Sequence, residues 1–257
     1  MIEVRPIRES EANEFLALLC DVFELDIDRA RGVFFNEPLF DLRRKWALFE
    51  RGKMVSILTT VPLNFGWGKA VGIAGVATAL SRQGEGFAGH LLARVIQHSE
   101  ANDEGTLLLF AKNMTIYERC GFRILDDVVR GPIQCRAEQS PSPVLNLAEI
   151  QDFYSGWAER DPSRLRRDTA RWNFWKWNLR VCTAYESGYV CHEGQQMREC
   201  VVDQPPHEWK LPIGTEWFGL RSMADRLQLP LGGTSFELWL MGRNVPATPQ
   251  MFMTDQF

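Results

Sequence analysis

The stretch that decides the fold is Val76-Ala77-Thr78-Ala79-Leu80-Ser81-Arg82-Gln83-Gly84-Glu85-Gly86-Phe87-Ala88-Gly89-His90-Leu91-Leu92. It reads as a strand, a glycine-bearing turn and the start of a helix. The strand is the small-residue run Gly75–Leu80. The helix is expected over 87–103, where Phe87, Leu91, Leu92, Val95 and Ile96 make one apolar stripe. At such a junction the first helical N–H groups point outward, and the helix dipole adds partial positive charge. Glycine lets the backbone approach an anion with dihedrals closed to other residues. The residues alone leave two readings open, a nest for a pyrophosphate or a plain helix N-terminus punctuated by glycine. A GxGxxG dinucleotide fingerprint is absent, and no Gly-Lys-Ser/Thr follows that would make a P-loop.

On the N-terminal side, Ile2–Ile7 alternates like a short edge strand, where Pro6 is tolerated. Ser10 is the expected cap of a helix carrying Phe15, Leu18, Leu19 and Val22. Residues 45–80 read as an antiparallel meander broken at Arg51-Gly52 and at Phe65-Gly66-Trp67-Gly68. On the C-terminal side, TLLLFA is a wholly apolar strand of the kind buried in a sheet centre. A short helix, MTIYERC, then stops at Gly121, a residue suited to a C-terminal cap.

Around 131–143 the composition turns to GPIQCRAEQSPSPV, and a linker is expected at residues 138–145. It divides the chain into 1–137 and 146–257. Beyond it come helical stretches at 146–160 and 163–178, a meander over 181–203, a helix near 215–228 and the strand SFELWLMG. That order repeats the element order of the first half without detectable sequence identity.

Composition bounds the function classes. The 257 residues carry 29 Lys+Arg against 33 Asp+Glu, a formal charge of −4, with 45% hydrophobic and 24% charged residues. This is the balance of a globular protein, and its mild acidity argues against phosphate neutralisation as a source of affinity. No nucleic-acid partner is expected. No apolar run approaches the roughly 20 residues of a membrane span, and MIEVRPIRESE lacks the features of a signal peptide, so the expected place is the cytoplasm. Six cysteines show no CxxC pair, and His90, His98, His192 and His207 show no HExxH or paired spacing, so no metal is expected.

The spacing Gln83-x-x-Gly86-x-Ala88 resembles the Q/R-x-x-G-x-G/A acetyl-CoA motif of the GNAT superfamily of N-acetyltransferases. Tyr117-Glu118-Arg119-Cys120-Gly121-Phe122 is similar to the family's Y-x-x-x-G-F block, and the two blocks stand in the family order, one helix and one strand apart. The resemblance implies an α/β (α+β) fold with a mixed, splayed sheet that admits acetyl-CoA between two diverging strands. Backbone at Val76 and Thr78 would then pair with the pantetheine, and the amides of Gly84, Gly86 and Ala88, with Gln83, would hold the pyrophosphate. Tyr117 would be the general acid for the departing thiolate, a phenol being close in pKa to a thiol. The family often carries an asparagine upstream of this tyrosine; its counterpart here is Asn113, four residues before Tyr117, implying a contact with the pantetheine arm.

The N-terminal start, the long meander and the degenerate second half look like the Eis-type (enhanced intracellular survival) branch. Its members join a GNAT domain to a second GNAT-like domain without the cofactor loop, and carry a further lipid-carrier-like domain for which this length leaves no room. In that branch the chain terminus enters the active site. The resemblance therefore implies that the carboxylate of Phe257 is the base toward the amine.

Three features stay outside this reading. Arg171-Trp172-Asn173-Phe174-Trp175-Lys176-Trp177 interleaves cations with rings; it reads first as a helix docking its rings, with base stacking and a pocket wall as the other options. The exposed aromatics of the second half leave a homo-oligomer open. Asp21, Glu24, Asp26 and Asp28 are either a solvated loop or a lure for a cationic amine. The expected activity is acetyl transfer from acetyl-CoA to a primary amine on a small molecule, an amino sugar or a lysine, by direct attack. The rival is a non-catalytic acyl-CoA-binding or regulatory module.

Overall fold

In the computed structural model, which describes residues 1–137, 142–178 and 180–257, the first half of the chain forms ten elements. They are β1 (Ile2–Pro6), α1 (Ala12–Phe23), α2 (Ile27–Phe34), β2 (Lys45–Glu50), β3 (Lys53–Phe65), β4 (Gly68–Thr78), α3 (Phe87–Ala101), β5 (Leu107–Ala111), α4 (Thr115–Arg119) and β6 (Arg123–Pro132). The second half forms β7 (Arg136–Ala137), α5 (Leu147–Glu159), β8 (Leu165–Arg166), α6 (Thr169–Trp177), β9 (Val181–Tyr185), β10 (Gly188–Glu193) and β11 (Gln196–Val201). It closes with β12 (Lys210–Leu211), β13 (Glu216–Leu220), α7 (Arg221–Arg226) and β14 (Ser235–Arg243).

Twelve strands join one sheet in the order β1-β2-β3-β4-β5-β14-β6-β13-β11-β10-β9, with β8 attached to β3. Neighbours are antiparallel except β4 with β5 and β11 with β13. The tight β2–β3 hairpin turns on Arg51 and Gly52, both at positive φ (+50° and +78°), the twist a two-residue loop needs. Alternation along β2 sends Trp46 and Leu48 to one face and Ala47 and Phe49 to the other. The stripe of α3 covers the first face, and α1 and α2 cover the second.

The last strand decides the architecture. β14 lies between β5 and β6, its Leu240 opposite Phe110 on one side and Asp126 on the other. β6 in turn pairs with β13 over Val128–Pro132. Each half thus completes its sheet beside a strand of the other. A cut in the expected linker at 138–145 would part strands that are hydrogen-bonded to one another. Residues 138–141 of that linker lie outside the described residues. Pro143 and Leu145 run along β9, accepting from Ala184 N–H at 2.8 Å and donating to the Cys182 carbonyl at 3.0 Å. The order helix, helix, three antiparallel strands, parallel strand, helix, strand does occur twice. Among the described residues no helix stands between β11 and β13, where the first half has α3.

Several local readings change. Ser10 does not cap α1; Glu11 stands at that position after a 3₁₀ turn, and it reaches back to the Arg8 N–H at 2.7 Å. The buried stripe of α1 runs through Ala12, Phe15, Leu16 and Cys20, one position off the expected one. The acidic run after it is helix punctuation: Glu24 ends α1 in the left-handed region, and Asp26 caps the unforeseen α2 through the Arg29 N–H at 2.8 Å. The expected helix near 215–228 is half strand. Trp217 and Leu220 of β13 are buried between two neighbouring strands, and a strand so enclosed loses the alternation that would mark it.

Candidate active site

β4 and β5 stay paired only at Val71–Leu107, Gly72–Leu108 and Ile73–Leu109. Beyond that point β4 bulges. Ile57 of β3 opposes Ala77 and Thr59 opposes Ala74, so Gly75 and Val76 together face the single residue Leu58. Gly75 holds φ +58°, the left-handed geometry that glycine supplies in such a bulge. The kink turns β4 away from β5 and opens a cleft of about 1160 Å³. Its walls are residues 73–78, the glycine loop with the first residues of α3, 110–113, and α4 with Tyr117 and Cys120. From the far end of the chain, Leu238, Gln256 and Phe257 complete it.

The glycine loop has the geometry for an anion. Gly84 and Gly86 sit at φ +82° and +85°, and a Cβ on either would meet no atom within 4 Å, so glycine is needed for its dihedrals and not for space. Gly86 is the N-cap of the fifteen-residue α3 and offers no capping side chain, leaving the first N–H groups facing the cleft. Arg82, Lys112 and Arg119 stand in the same lining, which holds no Asp, Glu or His among the described residues. This donor set fits a pyrophosphate. Gln83 also lines the cleft, and its Nε2 donates to the Thr78 carbonyl at 3.3 Å, bracing the loop against β4. Thr78 also shares its hydroxyl with Ser56 at 2.9 Å. Val76, Gly84, Gly86 and Ala88 all line the cleft.

Tyr117 is half-buried in the opposite wall, its ring edge-on to Phe122 at 6.2 Å. Burial pushes its phenol above 10, with Cys120 adding to the rise, so the hydroxyl keeps its proton at neutral pH. Asn113 spends its Oδ1 on the Thr115 N–H at 3.0 Å and starts α4; its expected contact with a pantetheine arm is left to the amide nitrogen. Gly121, at φ +83°, closes α4, and Arg243 of β14 braces that turn through the Cys120 carbonyl at 3.3 Å. Burial also raises the Cys120 thiol.

Residues 3–125 match the family model of the acetyltransferase (GNAT) domain. No curated protein matches the sequence. Among solved structures, a GCN5-related N-acetyltransferase from Anabaena variabilis is 16% identical with a TM-score of 0.69, covering 94% of this chain and 72% of its own. Eis1 from Mycobacterium abscessus is 16% identical with a TM-score of 0.65, covering 93% of this chain and 73% of its own. A putative acetyltransferase from Pyrococcus horikoshii is 10% identical with a TM-score of 0.66, covering 97% and 91%. At these identities the likeness is one of fold, and it extends through both halves.

The tail enters the cleft from a buried anchor. Phe257 lies over Gly72 and against Phe110, with ring centroids 5.4 Å apart. Two residues earlier, Asp255 accepts from the Arg167 guanidinium at 2.7 and 3.0 Å. Arg167 also donates to Glu199 at 2.6 and 3.1 Å, and all three side chains are fully buried. Tyr189 and Thr254 hydroxyls and the Trp175 indole donate to Glu199 as well. The Arg167 guanidinium stacks on Tyr154 at 3.7 Å and Trp172 at 4.7 Å. This explains the Trp-rich stretch: Trp172 and Trp175 dock inward around the anchor.

Sequence reading missed Phe110, Leu238, Arg82, Lys112 and Arg119 in the cleft. Phe110 is the one half-buried residue of a strand that was read as wholly buried. Leu238 comes from a strand whose place between β5 and β6 no local pattern reveals. Among the described residues no helix is long and apolar enough to cross a membrane, and no cluster of three or more His, Cys, Asp or Glu is placed to hold a metal ion.

Proposed function

We propose that the protein is an N-acetyltransferase that moves the acetyl group of acetyl-CoA to a primary amine by direct attack. The observation that carries this reading is the convergence in one cleft of a kinked β4, an uncapped α3 N-terminus and the protonated Tyr117. Acetyl-CoA, when bound, supplies an activated thioester.

The chain's residues would do the rest. Amides of Gly84, Gly86 and Ala88 hold the pyrophosphate, with Lys112 and Arg119 adding positive charge, while Arg82 is paired with Glu50 and Glu85. Backbone at Val76 and Thr78, released from β5, takes the pantetheine as a sheet edge takes an added strand. Gln83 supports this indirectly by fixing the loop, and Asn113 offers its amide N–H to the arm. Tyr117 gives its proton to the departing thiolate. Among the described residues the lining carries no acidic or imidazole side chain, and Gln256 and Phe257 bring the tail into it, so a group on the tail would serve as the base toward the ammonium. No covalent intermediate is needed, and Cys120 has no part in bond making.

The test is binding of acetyl-CoA by calorimetry, followed by thiol release with amino sugars, polyamines, amino acids and lysine peptides. Binding with thiol release supports the enzyme. Binding without release from any amine leaves a non-catalytic acyl-CoA module, and no binding removes both. Deleting Gln256 and Phe257 should lower kcat with acetyl-CoA binding intact; an unchanged kcat at every pH would take the tail out of the mechanism.

A further inference from the structure

We infer that Arg167 and Asp255 are positioning residues, and that their buried cluster with Glu199 exists to hold the Phe257 ring in the cleft where β4 and β5 part. The inference rests on the reading of that cleft as the site of acetyl transfer.

The argument begins with what the cluster costs. A guanidinium and two carboxylates without solvent exposure must give up hydration, and well-packed apolar side chains often serve stability equally well. Every group here is nonetheless satisfied. Arg167 forks onto both acids, and Glu199 collects three further donors from Tyr189, Thr254 and Trp175. Buried, fully paired charge of this kind is best used to fix one arrangement among several that burial alone would allow.

What it fixes is the tail. Asp255 and Thr254 are both bound by the cluster, and the Arg171 guanidinium reaches the Asp255 carbonyl at 3.5 Å and the Pro62 carbonyl of β3 at 3.0 Å. One segment, α6 with Arg167 two residues before it, thereby ties the tail both to the second half's sheet and to β3. From Asp255, two residues of extended chain reach at most about 7 Å, so the anchor confines where the Phe257 ring can go. That ring sits on Gly72, the position at which a side chain would collide with it. A clamp and a seat lie at the two ends of one short segment.

The experiment uses the full chain with a fluorine label on the para position of the Phe257 ring, read by fluorine NMR, beside steady-state kinetics. In the native sequence the resonance should be single and displaced from that of the free amino acid by ring stacking. Asp255→Asn, which keeps the shape and leaves the Arg167–Glu199 pair, should move it to the free position. In the same variant KM for the amine should rise about tenfold while KM for acetyl-CoA stays within about twofold. Arg167→Lys, which keeps the charge and loses the fork, is the milder variant and should give the same displacement in smaller degree. Trp175→Phe, which removes a donor to Glu199 but no tie to the tail, should lower Tm and leave the resonance where it was. A resonance unmoved in both Asp255→Asn and Arg167→Lys overturns the inference. If no amine releases thiol, the proposed activity fails, and the fluorine signal still decides the positioning.

Discussion

Phe257 rests on Gly72: a Cβ built on that glycine would stand 2.5 Å from the ring's Cδ2. Gly72 lies inside β4, where its pairing with Leu108 demands no unusual backbone, so the missing side chain serves the ring above it. Gly72→Ala should therefore fold normally and displace Phe257. We expect KM for the amine to rise about fivefold, the worth of roughly 1 kcal/mol, with acetyl-CoA affinity unchanged. An amine KM within experimental error of the native value would mean that the ring does not shape the acceptor site.

Tyr117→Phe removes the hydroxyl and keeps the ring against Phe122. If the phenol is the acid, kcat should fall by about 10²–10⁴-fold while acetyl-CoA binds as before. The sign of the pH dependence follows from burial, which raises the phenol above 10. The acid stays protonated through neutral pH, so kcat should show no falling limb below about pH 10. A descending limb between pH 7 and 9 in the native enzyme that vanishes in Tyr117→Phe would contradict this protonation state.

The cleft was legible where its chemistry is local. The α3 stripe, the Gln83-x-x-Gly86-x-Ala88 spacing and Gly121 after Tyr117 each report a geometry that a few consecutive residues set. What stayed hidden depends on partners far away in sequence. The residues of β14 read as a strand, but nothing in them says that Leu240 stands between Phe110 and Asp126. Arg167 looked like one cation in a basic stretch, because its two acids come 32 and 88 residues later. Gln83 was assigned to a ligand by its place in a motif, and nothing in that motif says that its Nε2 also reaches the Thr78 carbonyl. The helix α2 escaped because its acids were counted as charge, although Asp26 stands where a cap belongs.

Gly86→Ala tests whether the loop's dihedrals matter more than its size. The site is open, so the added methyl meets nothing, but φ +85° is strained for any residue with a Cβ. A left-handed residue other than glycine costs about 1–2 kcal/mol. We expect Tm to fall by roughly 2–8 °C and acetyl-CoA affinity to weaken by about tenfold as the loop relaxes. Differential scanning calorimetry and titration calorimetry read the two effects separately. Full affinity in Gly86→Ala would show that the amides of the loop are not aimed by this backbone.

Acid should unfold the protein partly through Glu199. Burial pushes that carboxyl up, but Arg167 beside it and the hydrogen bonds from Arg167, Thr254 and Tyr189 overcome the push and hold it below 4.5. A folded-state value below the unfolded one adds stability that is complete above 4.5. As pH falls through and below that value, the unfolded chain takes up a proton that the native cluster refuses, and the contribution is lost. Glu199→Gln should therefore be less stable at pH 7 and lose less between pH 5 and 3, measured by urea unfolding. Arg167→Met leaves two carboxylates buried without their cation and should cost about 3–5 kcal/mol at pH 7. Its deficit should shrink in acid, because protonating Glu199 then relieves the unpaired charge. Parallel stability curves for Glu199→Gln and the native protein from pH 7 to 3 would mean that Glu199 is not ionised in the folded state, and the cluster would have to be redrawn around a neutral acid.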